Sequence, residues 1–523
     1  MSTSKRRRPE MEIRKIEKNK YGEVFTPTEL INDMLDKLPP EVWTDPTKKW
    51  LDPAAGFGNF FMEVYPRLRK SLEHVILEPS KRRRHILTQM LYMVEYNPES
   101  CTRIRENPIF FDRDKEGNLV MDITLNVIHG DFLDPTVGET TTFTDGTTTL
   151  TNVPTSFDII VGNPPFNADQ THEGKKGGGA NLWPHFVDKS LRSHLLKPDG
   201  LLLFVHPSLW RKTPSPRAPT LFKLMTHENH MLYLEIHNKP DGKRVFGVQT
   251  RYDFYVIQKR KPIPDVSTTT FIKDQNGQEH PSFDLSRRHF LPNHSYDVID
   301  QLLRRPDDTS KPNVIFSRGK YGTDKKWVHK DQRTPDDIPL IDSTPLSGPR
   351  FLWSDPGVNC EDVEDCAAMV GVPKVIFGES GINEVIIDLE GRYGLTQGAI
   401  GLKIPGVKPD QQKAEAVLMT AVLESDIFHD ILDAMSFSNF RIDWRMFLYF
   451  RPDFYKDQQF ESMTPFVRPS VIKARKAAPP DPSVNPKRQQ LMWLPHHNGG
   501  IKRICRNFTK RRKRNSRHTR KKY

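Results

Sequence analysis

Short apolar runs alternate with helix-like segments over residues 21–262, and this alternation constrains the fold more than any other feature of the chain. The runs lie at 91–94, 127–128, 159–161 and 201–205, and each ends in a polar residue or a turn with Gly or Pro. Strands that alternate with helices form a parallel sheet with helices on its faces. We therefore expect an α/β fold for this part of the chain.

The composition changes along the chain and divides it into four predicted parts. The segment KRKPIPDV ends the alternation, and AAPPDPSVNPK precedes a basic tail. Between them lie the strand-like segments KVIFGE and NEVIIDL and a helical stretch at 410–435. We expect a basic N-terminal arm at 1–20, the α/β domain at 21–262, a mixed α+β domain at 263–460, and a disordered linker with a basic tail at 461–523.

The positive charge is concentrated at the two ends. The chain has a net charge of +12, and residues 501–523 alone hold twelve Lys and Arg without an acidic residue. Residues 1–20 add eight Lys and Arg against three Glu, so the chain between the two ends is net acidic. Such basic ends are typical of segments that contact nucleic-acid phosphates.

The sequence also argues against three classes of protein. It has no run of about 18 apolar residues, the length that a membrane-spanning helix needs. The N-terminus, MSTSKRRRPE, has no apolar segment behind it, so we expect no secretory signal. The four cysteines are too few and too scattered for a disulfide framework or an all-cysteine zinc site. We expect an intracellular protein, cytoplasmic or nuclear, that needs no metal.

The segment DIIVGNPPF at 158–166 is the sharpest chemical signal. An apolar strand ends at Asn163, and Pro164 and Pro165 then hold the chain in an extended turn. The Asn163 side-chain oxygen and the Pro164 carbonyl can both accept hydrogen bonds from a planar exocyclic amine, and Phe166 can stack on the ring that bears it. The alternative is an ordinary proline-rich turn after a strand.

The segment WLDPAAGFGNFF at 50–61 combines a short strand, the acid Asp52, and a turn with Gly56 and Gly58 that opens a helix. Glycines in such a turn let a ligand approach the backbone. The third position of the dinucleotide-binding fingerprint is Phe61, so the turn departs from that pattern. Taken singly, it also fits an ordinary tight turn.

Two further acids follow predicted strands. Glu95 ends the run at 91–94, where an acid can bind ribose hydroxyls, although it lies further from Asp52 than the usual spacing of about 20 residues. Asp131 follows the next run and could accept a hydrogen bond from an adenine amine, with Phe132 against the ring. Each acid alone also fits a helix cap or a solvated strand end.

Upstream of these motifs, the residues after Phe25 predict a capped amphipathic helix. The pattern is that of a capping box: Thr26 would be the N-cap, Pro27 the first helical residue, and Glu29 the acid three residues after the cap. Leu30, Ile31, Met34, Leu35 and Leu38 would form its buried face. Thr26 and the free N–H groups of the helix start could also hold a carboxylate.

In the chain order FTP, DPAAGFG, VEYNP, GDF and DIIVGNPPF, these motifs resemble those of gamma-class amino-methyltransferases of DNA. They are similar in particular to the adenine-N6 enzymes of restriction–modification systems. The resemblance covers about residues 21–260 and implies a Rossmann-like, doubly wound sheet that binds S-adenosylmethionine. Two insertions, a Thr-rich loop at 139–151 and a Gly/Lys-rich loop at 172–180, depart from compact members of the family.

The resemblance implies a role for each motif residue. The methionine part of the cofactor would contact Thr26, Asp52, Ala54, Gly56 and Gly58. The ribose would contact Glu95, and the cofactor adenine would contact Asp131 and Phe132. The target base would contact Asn163, Pro164, Pro165 and Phe166. The segment NLWPHF at 181–186 resembles the next family motif, and 244–256 resembles the last strand, with Phe246 near the flipped base.

The implied reaction transfers a methyl group from S-adenosylmethionine to the N6 amine of adenine in a specific sequence of double-stranded DNA, after base flipping. Residues 263–460 would form the target-recognition domain, in which 391–401 and 440–445 offer side chains that could contact base edges. Too few residues precede Asp52 for a nuclease domain, so a cognate restriction endonuclease would be a separate partner.

Two other functions remain open at this stage. The same fold and NPPF motif also suit methylation of RNA adenine or guanine, or of a protein glutamine. The chain could instead be a non-catalytic nucleic-acid-binding subunit, although the intact Asn163–Phe166 motif argues against this. The position of the FTP segment and the long second domain favour DNA.

The basic tail generates the first testable prediction. Deletion of residues 501–523 should weaken DNA binding at low salt and flatten its salt dependence, because the tail would contact phosphates. If all twelve cations engaged the DNA, they would contribute roughly −11 to the slope of log binding constant against log salt concentration. A mobile tail would contribute about a third of that value. Binding titrations at several salt concentrations measure the slope.

Sequencing of the methylated DNA provides the control for this deletion. The methylated sequence should stay the same, since residues 263–460 would read it. A changed sequence would contradict the domain assignment, and an unchanged salt slope would leave the tail with only a targeting role.

Overall fold

The computed structural model describes residues 25–463 except for 114–115, 121, 146–147, 167–180, 215–220, 263–268, 287, 306–307, 311, 317–319, 358–369 and 438–440. The predicted basic arm at 1–20, the Gly/Lys-rich loop at 172–180 and nearly all of the linker and tail at 461–523 lie outside the described residues.

The strands of the described residues follow one another along the chain in this order. They are β1 Trp50–Asp52, β2 Leu91–Glu95, β3 Asp112–Arg113, β4 Leu119–Val120, β5 Asn126–His129, β6 Phe143–Asp145, β7 Thr148–Leu150, β8 Phe157–Gly162, β9 Leu196–Pro207, β10 His230–His237, β11 Tyr252–Gln258, β12 Thr269–Lys273, β13 Glu279–Asp284, β14 Val314–Ile315, β15 Val328–His329, β16 Ile338–Ser343, β17 Arg350–Ser354, β18 Lys374–Gly378, β19 Gly381–Asp388, β20 Gly394–Leu395 and β21 Ala399–Lys403.

The α-helices are α1 Thr28–Leu35, α2 Glu41–Thr44, α3 Asn59–Ser71, α4 Pro79–His85, α5 Pro98–Arg105, α6 Trp183–Arg192, α7 Leu221–Thr226, α8 Lys239–Phe246, α9 Tyr296–Leu302, α10 Pro409–Leu423, α11 Asp426–Ala434 and α12 Met446–Tyr449. A π-helical turn at Ile86–Met90 follows α4, and short 3₁₀ turns lie at Pro108–Phe110, Ser208–Arg211, Phe454–Lys456 and Gln458–Met463. Within the described residues, no helix has both the length and the apolar character needed to cross a membrane.

The central sheet has the strand order β13-β12-β10-β11-β9-β8-β1-β2-β5. Strands β5, β2, β1, β8 and β9 pair in parallel, whereas β11 runs antiparallel to both of its neighbours. After β1 the chain moves to β2 and β5 on one side and then returns to β8 on the other, so the strand order reverses between β1 and β8. Open α/β sheets bind ligands at the carboxyl ends of the strands at such a reversal.

Helices cover both faces of this sheet, as the alternating sequence predicted. One core contains apolar side chains of α1, α2, α3 and α5, and the core on the other face contains those of α6 and α7. Nearly all of β2 and β8 is buried, as expected for strands covered on both faces. The predicted apolar face of α1 is buried as well. The α/β fold class is therefore confirmed.

The second half of the described chain forms further cores of its own. The four-stranded sheet β14-β21-β18-β19 packs with α10, α11 and α12, and the four-stranded sheet β15-β17-β16-β20 contributes to a smaller cluster. This half is the mixed α+β region expected from the sequence. Strand β12 pairs with β10, so the central sheet extends to Asp284, beyond the predicted boundary at 262. The assignment of 263–460 as a recognition domain stays a prediction.

A buried polar cluster joins β11 to this second half. Arg211 and Asp253 are fully buried and form an ion pair, and Arg211 also donates to Asn293 Oδ1 over 2.9 Å. Asn293 Nδ2 in turn donates to the backbone of α11, whose Asp433 pairs with Arg251 over 2.5 Å. Because a buried charge is tolerated only when it is paired, this cluster fixes how the chain after β13 packs against β11.

Three local expectations from the sequence need correction. The helical stretch at 410–435 is two helices, because Ser425 caps the start of α11 with its side chain. The Thr-rich segment expected to be a loop contains the hairpin of β6 and β7, which an ion pair between Arg105 and Asp145 ties to α5. Threonine favours strands, which accounts for the hairpin.

The third correction concerns residues 244–256, which resembled a single strand. The first residues complete α8, and Gly247 ends that helix in the left-handed conformation with φ of 70°. The strand β11 begins only at Tyr252. Phe246 therefore lies at the end of a helix and not on a strand.

Candidate active site

The predicted motif residues collect at one edge of the central sheet. Asp52 ends β1, Glu95 ends β2, and Asn163 follows β8, so the three lie at the carboxyl ends of neighbouring parallel strands. This edge includes the reversal between β1 and β8. The arrangement follows from the sheet order, and it brings together residues that are far apart in sequence.

Asp52 is a buried acid with one unused oxygen. Its side chain is 1% exposed, and Oδ1 accepts a hydrogen bond from the Ala54 N–H over 3.1 Å. Oδ2 is buried and has no hydrogen-bond partner in the described part of the chain. Burial raises the pKa of Asp52 to about 8, and the nearby charge of Glu95 adds to this rise. A ligand with a positive charge or an N–H group would satisfy this oxygen.

Glu95 is also buried, and its carboxylate holds the glycine turn in place. One oxygen accepts from the Gly56 N–H and the other from the Asn97 N–H, each over 2.7 Å. Burial raises the pKa of Glu95 to about 7, although these backbone N–H groups act in the opposite direction. The acid predicted to bind a ribose therefore also fixes the backbone of the predicted cofactor turn.

The turn between β1 and α3 needs its two glycines. Gly56 and Gly58 have φ of +54° and +81°, a region that other residues rarely adopt. Among the described residues, no atom lies within 4 Å of a Cβ added to Gly56, so this part of the fold leaves its Cα uncovered. A turn with this conformation and an open face fits a ligand that lies against the backbone.

Gly162 is a functional candidate that the sequence reasoning did not single out. A Cβ at this position would lie 2.9 Å from Asp52 Oδ1 and 3.4 Å from the Pro53 ring. Only glycine lets β8 end this close to the buried acid. The signal was present in the GNPPF segment, but its meaning depends on the pairing of β8 with β1.

Asn163 contacts Thr26, which joins the first and last motifs of the predicted site. The Asn163 Nδ2 group donates to Thr26 Oγ1 over 3.0 Å. The predicted capping box is therefore wrong: Pro27 occupies the N-cap position of α1 without a side-chain hydrogen bond, because the Thr26 hydroxyl bonds to Asn163 instead. Thr26 is 5% exposed.

The turn after Asn163 places two aromatic rings in contact. Pro164 is buried and Pro165 is half-buried, and within the described chain no donor reaches the Pro164 carbonyl. The Phe166 ring meets the Phe246 ring edge to face, with 5.9 Å between the centroids. The two rings that the sequence assigned to the target base are thus neighbours, although α8 and not a strand supplies Phe246.

The two predicted adenine contacts differ in their exposure. Asp131 is exposed, and its Oδ1 accepts from the Leu133 N–H over 2.9 Å. Phe132 is 2% exposed, and its ring stacks on Phe186 at 5.0 Å. The carboxylate of Asp131 is therefore accessible at this edge, whereas the Phe132 ring is buried and packs in the core. Ala54 is half-buried in the glycine turn.

The residues present fit the S-adenosylmethionine that the motifs imply. Two buried acids lie close together and have no ion-pair partner among the described residues, and one carboxylate oxygen has no donor. An ammonium group and a sulfonium would supply the missing positive charge, and ribose hydroxyls would supply further donors. The open face of Gly56 gives such a ligand access to the turn.

Part of the chain is similar to known methylases. Residues 89–246 match the family model described as the Eco57I restriction-modification methylase. A Mycoplasma pneumoniae protein described as an uncharacterized adenine-specific methylase is 45% identical over 75 residues, which are 14% of this chain and 18% of that protein. The resemblance to adenine-specific methyltransferases of restriction–modification systems is thus confirmed, while the gamma class stays a prediction.

One solved structure shares the fold at low sequence identity, and a second matches over about half of the chain with a lower TM-score. A nuclease-deletion mutant of the Type ISP restriction-modification enzyme LlaGI, in complex with a DNA substrate mimic, is 13% identical with a TM-score of 0.50. The match covers 80% of this chain and 45% of that one. The EcoKI M protein of a Type I restriction enzyme is 12% identical with a TM-score of 0.34, over 55% of this chain and 59% of that one. The chain thus spans about half of these structures.

The buried acids predict that cofactor affinity depends on pH. The affinity for S-adenosylhomocysteine should rise between pH 5.5 and 7.5, because the raised pKa values of Asp52 and Glu95 leave both acids mostly protonated at the lower pH. Linkage of one proton changes the affinity by about tenfold for each pH unit. Calorimetry at several pH values measures this dependence, and an affinity independent of pH would contradict it.

The variant Asp52→Asn is the control for this dependence. This variant should bind S-adenosylhomocysteine weakly, and its affinity should depend less on pH than that of the natural chain. Because the pKa of Asp52 is raised in the folded state, its contribution to stability is lost as the pH rises towards about 8. Unfolding measurements at pH 8.5 should therefore find the ligand-free variant more stable than the natural chain by about 1–3 kcal/mol.

The double role of Glu95 generates a second prediction for this site. Glu95→Gln should lower the affinity for S-adenosylhomocysteine by about tenfold or more, since the glutamine NH₂ would face the N–H of Gly56 or Asn97. Glu99→Gln is the matched control, because its side chain is exposed on α5. Equal affinities of the two variants would show that the glycine turn does not need both acceptors.

Proposed function

We propose that this protein transfers a methyl group from S-adenosylmethionine to the N6 amine of adenine in a specific sequence of double-stranded DNA. One observation carries the proposal: the Asn163 amide and the Pro164 carbonyl lie at the same sheet edge as the buried Asp52 and Glu95. The family match over residues 89–246 and the adenine-specific relative support this choice of reaction.

Besides the Thr26 hydroxyl, four groups of this chain would hold the cofactor. Asp52 Oδ2 would accept from the ammonium of the methionine part, and the Glu95 carboxylate from the ribose hydroxyls. The Gly56 backbone would lie against the ligand, and the exposed Asp131 carboxylate would accept from the adenine amine. When bound, S-adenosylmethionine supplies a methyl group that is already activated on a positively charged sulfur.

The turn at 163–166 would bind the target base. Asn163 Oδ1 and the Pro164 carbonyl would each accept one N–H of the adenine N6 amine. Phe166 would stack on the adenine ring, with Phe246 in contact beside it. Two acceptors would draw the nitrogen lone pair out of conjugation with the ring, so that it is directed towards the methyl group that the cofactor supplies. The surplus proton of the methylated amine would pass to solvent water. Correct positioning would account for most of the rate.

The target adenine would have to leave the base stack to reach this edge of the sheet, because the acceptors are set into the fold beside buried residues. Neither Asn163 nor Phe166 is an exposed residue. If Asn163 and Phe166 contact the target base, as the family resemblance implies, the base must be flipped out of the duplex to reach them.

The second half of the chain would select the DNA sequence. In the predicted reading segment at 391–401, the exposed Arg392 pairs with Glu390, while Thr396 is buried and bonds to Asp342. Gln397 exchanges hydrogen bonds with Thr323 at both ends of its amide. We infer that Arg392 is better placed than Thr396 to contact a base.

The third variant tests the target side of the site. Asn163→Ala should lower methyl transfer by about a hundredfold or more, the scale for loss of a group that acts on the reacting atoms. Affinity for S-adenosylhomocysteine should stay within about threefold, because Asn163 is assigned to the target amine. A transfer assay and calorimetry on the same preparation measure both. Transfer close to that of the natural chain would contradict the assignment.

A further inference from the structure

The hydroxyl of Thr26 lies between the glycine turn and the target-binding turn. The neighbouring Phe25 packs its ring against Phe57 of the glycine turn, with 4.5 Å between the centroids. On its other side, Thr26 Oγ1 accepts a hydrogen bond from Asn163 Nδ2 over 3.0 Å, across 137 residues of sequence. The residue thus connects the cofactor end and the target end of the proposed site.

A threonine hydroxyl has one proton to donate and two lone pairs that accept. In the described part of the chain, Asn163 is the hydrogen-bond partner of this hydroxyl and uses a lone pair. The proton therefore remains for another acceptor. Helix α1 begins two residues later without a side-chain cap, and the N–H groups of its first turn favour a negative charge in this place.

The Asn163 amide can direct either its oxygen or its NH₂ group to Thr26, and only one of these orientations leaves an acceptor for the N6 amine of the target adenine. If Thr26 donated its proton to Asn163 Oδ1, the amide NH₂ would face the NH₂ of the target adenine, which pairs a donor with a donor. If the proton is held elsewhere, Thr26 can only accept. The amide then directs Nδ2 to Thr26, as in this structure, and leaves Oδ1 for the target amine.

We propose that Thr26 is a positioning residue that couples cofactor binding to target binding, an inference that rests on the proposed function. The carboxylate at the amino-acid end of the cofactor accepts the Thr26 proton. Thr26 Oγ1 is then restricted to accepting from Asn163 Nδ2, which holds the amide in the orientation that receives the adenine N6 amine. The cofactor thereby increases the affinity for the target base through one shared hydroxyl.

Two ligands separate this coupling from the other effects of the cofactor. S-adenosylhomocysteine has the carboxylate, whereas 5′-methylthioadenosine has the same nucleoside without the amino-acid end. The affinity of the full chain for a fluorescent duplex with its methylated sequence is measured with each ligand at saturation. The duplex should bind about tenfold more tightly with S-adenosylhomocysteine, within the usual range of coupling between two sites.

Variants of Thr26 and a matched duplex isolate the hydroxyl. Thr26→Val keeps the shape and loses the hydroxyl, so the two ligands should give the same DNA affinity. Thr26→Ser keeps the hydroxyl and should keep the tenfold difference. A duplex with purine in place of the target adenine lacks the N6 amine and should show no difference even with the natural chain. Thermal unfolding of each variant checks that it is folded.

The outcomes distinguish this inference from the proposed function. If the tenfold difference in DNA affinity between the two ligands persists in a folded Thr26→Val variant or with the purine duplex, that result overturns the coupling role of Thr26 but leaves the proposed function intact. A natural chain that binds no S-adenosylhomocysteine, or that methylates no duplex, overturns the proposed function and this inference with it. Loss of the difference in Thr26→Val together with its recovery in Thr26→Ser supports the coupling.

Discussion

Two buried carboxylates at the edge of the central sheet are the constraint on which the rest of the site depends. Asp52 and Glu95 lie close enough for their charges to interact, and neither has an ion-pair partner among the described residues. Glu95 is stabilised by the backbone N–H groups of Gly56 and Asn97, so its charge also shapes the glycine turn. Asp52 requires a glycine at 162, because no side chain fits beside it. A cationic ligand would stabilise the ionised forms of these two buried acids.

The order of the strands places the proposed cofactor site and the proposed target site side by side. Since the chain reverses between β1 and β8, the end of β8 lies beside the end of β1, and Asn163 comes next to the proposed cofactor site. At the end of the target turn, the Phe166 ring contacts the Phe246 ring of α8. The buried pair of Arg211 and Asp253 then links β11 to the second half of the chain, which would read the DNA. In the proposed function, one sheet would thus connect methyl transfer with recognition of the DNA sequence.

The sequence predicted those parts of the fold that depend on local pattern. Strands β2 and β8 and the buried face of α1 follow from apolar spacing alone, and the candidate residues follow from short motifs. The contact of Asn163 with Thr26 could not be predicted, because it depends on how α1 packs against the sheet. The role of Gly162 depends on strand register, and the attachment of the β6–β7 hairpin to α5 depends on the ion pair with Arg105. Long-range contacts such as these carry no local signal in one sequence.

The central claim is the identity of the methylated atom, and the product itself tests it most directly. The full chain is incubated with S-adenosylmethionine labelled on the methyl group together with double-stranded DNA, RNA and protein, and the DNA is digested to nucleosides. The account predicts that the label enters the DNA and elutes with N6-methyldeoxyadenosine. Label on deoxycytidine, in the RNA or in a protein would contradict it.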